Sequence, residues 1–178
     1  MSSLLAIDYG TKRCGLARSD SNRILATGLP TFEKRPGRSF HRHLRSLAES
    51  GEYACVVLGL PVNDNDDDFD HDDDHDNHDN AANAATSVGL DAAVNAPPGS
   101  LSAEIQSLGG WIERELGLSV VYWDETLTSV EAESRLRMAR RGQRRDKGAI
   151  DRLAAEILLQ EFLDAGSPGA PDLAGDRS

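Results

Sequence analysis

Four acidic residues of the sequence adjoin strongly apolar segments, where a carboxylate needs a partner. Asp8 follows the first apolar run of the chain, and Asp124 and Glu125 follow another, VVYW. Asp151 borders the apolar stripe of the last predicted helix. A carboxylate beside a buried strand costs several kcal/mol unless a cation or hydrogen-bond donors compensate it. These four residues are therefore the candidates for chemistry.

Acids from two strand ends and a helix start are predicted to meet at one end of a sheet, where the active sites of open α/β sheets gather. Like charges held close together repel unless a divalent cation neutralises them. All-oxygen sites suit Mg²⁺ or Mn²⁺, and a pair of such ions about 4 Å apart serves phosphodiester hydrolysis. Alternation along a strand lets only one of Asp124 and Glu125 face the same way as Asp8, and the sequence does not decide which.

Each acid also has a simpler explanation when it is taken alone. Asp8 could be compensated by a backbone N–H of the turn that follows it, or by Lys12 or Arg13. One of the strand-end acids could cap the following helix. Asp151 could favour the dipole of its own helix. The two-metal hypothesis therefore depends on the acids occurring together.

A run of basic residues precedes the last predicted helix. Seven bases fall between positions 135 and 147, opposed only by Asp146: Arg135, Arg137, Arg140, Arg141, Arg144, Arg145 and Lys147. A solvated helix tail is the usual meaning of such a run, but its density beside the proposed acids favours phosphate contacts. The predicted nucleic-acid-binding residues are Thr11, Lys12, Arg13, Arg140, Arg141, Arg144, Arg145 and Lys147.

Hydrophobic patterning predicts the elements that position these residues. Strands are expected at 4–7, 14–19, 24–32, 53–60 and 119–123, and helices at 38–50, about 100–116, 128–141 and 147–164. Three strands joined by tight links form an antiparallel meander, and the later strands are joined through helices. The expected fold is α/β, with a mixed five-stranded sheet flanked by helices.

The net charge of −11 over 178 residues is concentrated in one segment. Residues 64–80 hold ten Asp and no Lys or Arg; without them, 20 acidic residues remain against 19 basic ones. We interpret residues 64–98 as a disordered acidic insertion in a single domain of residues 1–165, followed by a flexible tail at 166–178. A nearly neutral body is compatible with an anionic partner.

Two cysteines without a CxxC motif, and no signal peptide or membrane-spanning apolar stretch, predict a cytoplasmic protein without a membrane partner.

Four segments together resemble the YqgF/RuvX family of RNase H-like proteins. They are LLAIDYGTKRCGLARSD, VVLGLPVN, WDETLTSVEAESRL and KGAIDRLAAEILLQEFLD, and they follow the order of the family. The family's first-strand Asp corresponds to Asp8, its strand-end acidic pair to Asp124 and Glu125, and its last-helix Asp to Asp151. The resemblance implies an RNase H-like fold and a metal-dependent endonuclease acting on nucleic acid, with Mg²⁺ or Mn²⁺ held by these four acids.

The resemblance leaves two substrates open. Family members are described as nucleases that process the 5′ end of pre-16S rRNA, in ribosome biogenesis, or as Holliday junction resolvases in DNA recombination. Both substrates are phosphodiesters contacted through their backbones, and the chain is expected to act as a monomer or homodimer. Two departures affect substrate contact: Thr126 stands where the family usually has Arg, and the acidic insertion replaces a short glycine-containing turn.

Two other readings belong to different classes of protein. The DYGT motif resembles the phosphate-binding turn of actin-like ATPases, but those close two domains around a nucleotide and this chain has room for one. A non-catalytic RNA-binding or regulatory module could keep the same scaffold. Retention of all the acidic positions weighs against that reading.

Overall fold

The computed structural model describes residues 2–60, 99–124 and 147–171. Its five strands are β1 (Ser3–Tyr9), β2 (Arg13–Ser19), β3 (Ala26–Glu33), β4 (Tyr53–Leu60) and β5 (Ser119–Asp124). Its three helices are α1 (Phe40–Ser50), α2 (Leu101–Leu116) and α3 (Lys147–Asp164). The predicted helix at 128–141, the insertion at 64–98 and residues 172–178 of the tail lie outside the described residues.

The strands form one sheet in the order β3-β2-β1-β4-β5. β1 pairs antiparallel with β2, and β2 with β3, whereas β4 runs parallel to both β1 and β5. The predicted mixed sheet of a meander plus parallel strands is therefore confirmed. The carboxyl ends of β1, β4 and β5 lie at the same end of the sheet.

The two faces of the sheet are covered by different helices. Leu5 and Ile7 of β1 pack in a core with α1 and α2. Leu4 and Ala6, of the opposite parity, pack in a second core with α3. Asp8 has the parity of Leu4 and Ala6, which places it on the face that α3 covers.

Local capping fixes where α1 and α2 begin. The hydroxyl of Ser39 accepts a hydrogen bond from the Arg42 amide at 3.3 Å, so α1 begins at Phe40 and not at the predicted residue 38. Ser100 caps α2 in the same way through the amide of Ala103 at 3.2 Å. Gly117 then ends α2 in the left-handed region, with φ of 66°.

The third strand starts two residues later than the predicted position 24. The Asp20 carboxylate accepts hydrogen bonds from the amides of Ile24 and Leu25, at 2.7 and 2.9 Å. These bonds lower the pKa of Asp20 and hold the segment as a turn. Ile24 and Leu25 are consequently left 70% and 61% exposed.

No helix in the described part of the chain is long and apolar enough to cross a membrane.

Candidate active site

Asp8 and Asp151 are brought together by one glycine. Gly15 of β2 lies directly across from Asp8 of β1 in the antiparallel register. A Cβ atom on Gly15 would point to the same face as Asp8, toward α3, where it would overlap the backbone carbonyl of Asp151 and crowd Ala155. Only a residue without a side chain allows α3 this close to the sheet, so Gly15 positions Asp151 beside Asp8.

The thiol of Cys14, the residue before Gly15, is buried. Burial, with smaller contributions from the charges of Asp8 and Asp151, raises the pKa of Cys14 to about 12 against the opposing charge of Lys34. The thiol stays protonated at neutral pH, which excludes it as a nucleophile.

Asp151 is neutralised by an arginine of the neighbouring strand. The Nε of Arg13 donates to Oδ2 of Asp151, and the two side chains are 27% and 25% exposed. The sequence suggested Arg13 as one possible partner of Asp8, and the structure shows an ion pair between Arg13 and Asp151. The helix-dipole explanation for Asp151 is thus not needed, since its carboxylate has a cationic partner outside α3.

The predicted binding residues of the β1–β2 turn lie at the same end of the sheet. The amide of Gly10 donates to the carbonyl of Arg13 at 3.0 Å, which closes a tight hairpin around Thr11 and Lys12. Both of these side chains are exposed. They are accessible to a substrate that approaches Asp8.

The start of α3 is tied to β3. The hydroxyl of Thr31 donates to the carbonyl of Gly148 at 2.6 Å. Lys147, the first residue of α3, is exposed. This contact holds the beginning of α3, and hence Lys147, near the sheet.

The second acidic strand end lies two strands away from β1. Asp124 is the last residue of β5 and pairs with Leu60, at the carboxyl end of the parallel strands. Glu125, Arg140, Arg141, Arg144 and Arg145 lie outside the described residues. Within 2–60, 99–124 and 147–171, no three His, Cys, Asp or Glu side chains form a metal-binding group.

Sequence reasoning missed two residues of this region. Gly15 was passed over, although an isolated glycine within a strand is a signal of close backbone approach. Lys34 was also passed over; its ammonium lies 3.5 Å from the ring centroid of Tyr9, the residue after Asp8. The signal for Lys34 was its place in a basic segment directly after the third strand.

The fold defines the class of protein. The chain superposes on the solved structure titled "T. thermophilus RuvC in complex with Holliday junction substrate" with a TM-score of 0.50 and 15% identity, covering 96% of this chain and 98% of the other. At that identity the likeness shows the fold alone. It is the RNase H-like fold that the sequence predicted.

The family follows from sequence comparison. Residues 2–84 and 78–165 match the family model described as "RuvX: Holliday junction resolvase", and the chain belongs to that family. A protein of Koribacter versatilis (strain Ellin345), named "Putative pre-16S rRNA nuclease", is 32% identical over 161 residues, 90% of this chain and 86% of its own length.

A second relative gives the same result. A protein of Rippkaea orientalis (strain PCC 8801 / RF-1) with the same printed name is 34% identical over 163 residues, 92% of this chain and 96% of its own. The chain is an RNase H-like nuclease, an enzyme that hydrolyses phosphodiester bonds in nucleic acid.

Proposed function

We propose that this nuclease is a divalent-cation-dependent endonuclease that processes the 5′ end of pre-16S rRNA in ribosome biogenesis. The observation that supports this most directly is the approach of Asp8 and Asp151 across Gly15. Relatives that share a third of their residues with the chain carry the name of a pre-16S rRNA nuclease, which favours the RNA substrate.

The donor set fits Mg²⁺ or Mn²⁺. Carboxylate oxygens are the ligands these hard cations prefer, and Asp8 and Asp151 supply them from one side of the sheet. One or two bound cations would supply a water of lowered pKa and positive charge at the leaving oxygen. Arg13 already neutralises Asp151, so Arg13 and a cation would share this carboxylate.

The third ligand in this proposal comes from the strand-end pair. Val121 and Trp123 of β5 pack in the core on the α3 side of the sheet. Trp123 contacts the Phe162 ring edge-on, at 5.2 Å between centroids. In the sequence, position 125 has the parity of these two residues, and position 124 the other parity. We therefore propose Glu125 as the main cation ligand of this pair and Asp124 as the weaker one.

Substrate contact is assigned to the bases around this end of the sheet. Lys12 and Lys147 are exposed there, and Thr11 offers a hydroxyl from the same turn as Lys12. Arg140, Arg141, Arg144 and Arg145 complete the proposed set from the basic run. Contacts to phosphate position a nucleic acid without reading its sequence.

Holliday junction cleavage is the second candidate. The description of the matching family model favours it. Symmetric cleavage of a junction needs two active sites related by a twofold axis, and hence a homodimer. A monomer in solution would therefore favour the RNA substrate.

One assay separates these functions. The purified protein is offered an RNA that spans the mature 5′ end of 16S rRNA, and in parallel a synthetic four-way DNA junction, each with Mg²⁺, Mn²⁺ or EDTA. We expect cation-dependent cleavage of the RNA. Cleavage of the junction alone would establish the second candidate, and cleavage in EDTA would reject the cation requirement.

A further inference from the structure

The basic residues after β3 form a surface that the proposed active site does not include. Residues 34–45 contain five Lys or Arg, two His and no acid. This is a dense positive segment in a chain whose net charge is −11. It runs from the end of β3 through the first half of α1.

This segment begins beside the candidate active site. The amide of Lys34 donates to the carbonyl of Lys12 at 3.0 Å, which sets the two lysines side by side. The ammonium of Lys34 lies over the ring of Tyr9, directly after Asp8 in β1. Positive charge therefore continues from the β1–β2 turn toward α1.

Aromatic rings hold the next cation in place. The Tyr9 ring contacts Phe40, at 5.9 Å between centroids, and Phe40 contacts Phe32 at 5.1 Å. The guanidinium of Arg38 lies 4.8 Å from the Phe32 ring centroid. Such packing fixes the position of a cation while leaving its hydrogen-bond donors available.

Neighbouring arginines of this segment differ in whether a carboxylate neutralises them. Arg35 pairs with Glu33, and Arg45 pairs with Glu115 at 3.2 Å. Among the residues that the structure describes, Lys12, Arg38 and Arg42 make no ion pair, and all three are exposed. Their charge is available to a partner.

We propose that Lys12, Lys34, Arg38 and Arg42, here called the basic strip, bind the phosphate backbone of the substrate strand beyond the scissile bond. A row of uncompensated cations leading away from paired carboxylates fits a polyanion that is cleaved at one point and held at others. This inference rests on the proposed nuclease function and extends the substrate contact already assigned to Lys12 onto the face opposite α3.

The test compares two double variants that lose the same charge. Arg38→Ala with Arg42→Ala removes half of the basic strip. Arg18→Ala with Arg114→Ala is the control. Arg18 is exposed and pairs with Leu5, near the start of β1, and Arg114 is exposed in the last turn of α2, which leads to the start of β5. Both control residues lie at the other end of the sheet.

Binding of a fluorescein-labelled RNA hairpin is measured by anisotropy in EDTA, so that the result is independent of cleavage. Two lost phosphate contacts make the plot of log K against log salt shallower by about 1.4 to 1.8. The strip variant is then expected to bind about tenfold more weakly than wild type at about 50 mM salt, with the gap closing by about 200 mM. Arg38→Lys with Arg42→Lys should restore most of the affinity.

Each outcome has one meaning. If the strip variant binds like the control, or if the wild type does not bind the hairpin, the basic strip is rejected, even where Mg²⁺-dependent cleavage shows the nuclease to be active. Suppose instead that the strip variant loses affinity for the hairpin, the control variant does not, and the wild type cleaves neither RNA nor a DNA junction. The basic strip is then supported as a phosphate-binding surface, and the proposed nuclease function is rejected.

Discussion

The backbone carbonyl of Asp151 lies against Gly15, the cross-strand partner of Asp8. This contact sets the distance between α3 and the sheet beside the cross-strand partner of Asp8. The geometry of the candidate site therefore depends on a residue that has no functional group.

Replacing Gly15 by Ala should disrupt both fold and activity. The new methyl group would overlap backbone atoms of Asp151, which cannot move unless α3 shifts as a whole. We expect a loss of about 3 kcal/mol of unfolding free energy, typical of severe overpacking, and at least a tenfold loss of cleavage. Thermal denaturation and the cleavage assay measure these effects.

Gly28→Ala is the matched control for this substitution. Its methyl group would meet the side chains of Arg152 and Glu156 on the same helix, and flexible side chains can move aside. The Glu156 Oε2 that must give way also accepts a hydrogen bond from the Gly28 amide, at 2.9 Å, and the weakening of this bond is part of the cost. Its cost should be about 1 kcal/mol. Equal losses of unfolding free energy in the Gly15 and Gly28 variants would contradict the role proposed for Gly15.

Asp8→Asn and Asp151→Asn should differ in stability while both abolish cleavage. Asp151→Asn loses the ion pair with Arg13, which is about a quarter exposed, so it should cost about 1 kcal/mol. Asp8→Asn leaves this ion pair intact, so it should cost less stability than Asp151→Asn. Asp164→Asn, an exposed position at the other end of α3, is the control for loss of an acid from that helix. Full cleavage activity in the Asp8 and Asp151 variants would refute their roles.

The titration of His43 should make the folded protein less stable in acid. Burial, and secondarily the charge of Arg38, lowers the pKa of His43 below 6.5. The unfolded chain therefore takes up a proton near pH 6.5 while the native state resists it, so stability falls as the pH drops from that value toward the native pKa. Arg38→Ala should raise the pKa of His43 and reduce this loss.

The His43 titration can be followed by NMR in wild type, Arg38→Ala and Arg45→Ala. Arg45 is on the same helix but is paired with Glu115, so its removal should leave the His43 titration unchanged. An identical His43 pKa in wild type and the Arg38 variant would show that this guanidinium does not act on the imidazole.

Deletion of residues 64–80 should strengthen nucleic-acid binding at low salt. The ten Asp of this segment repel phosphates over about one Debye length, ~10 Å at 0.1 M salt, and molar salt screens the effect. Its nearly complete lack of apolar residues predicts an almost unchanged melting temperature. A large loss of stability, or weaker binding at low salt, would mean that the segment supports the fold or contacts the substrate.

The sequence predicted most of the fold because its apolar runs are clear and are separated by short polar or glycine-containing connections. The strand Tyr53–Leu60 and the helix Lys147–Asp164 have the bounds expected from their hydrophobic patterns. The start of β3 was wrong because the Asp20 side chain binds two amides further along the chain, a contact that hydrophobicity does not encode.

The candidate site was less predictable because it depends on tertiary contacts. Strand position alone indicated that Asp8 would stand at the carboxyl end of a central strand. The pairing of Arg13 with Asp151 joins residues 138 positions apart, and no spacing in the sequence reveals it. The same holds for Lys34, whose place beside Tyr9 depends on the pairing of β2 with β3.

The most direct test of the paired acids is Mg²⁺-dependent cleavage of an RNA spanning the mature 5′ end of 16S rRNA by the wild type, Asp8→Asn and Asp164→Asn. We predict cleavage at a defined position by the wild type and the Asp164 variant, and none by the folded Asp8 variant. Cleavage by Asp8→Asn at the wild-type rate would contradict the account.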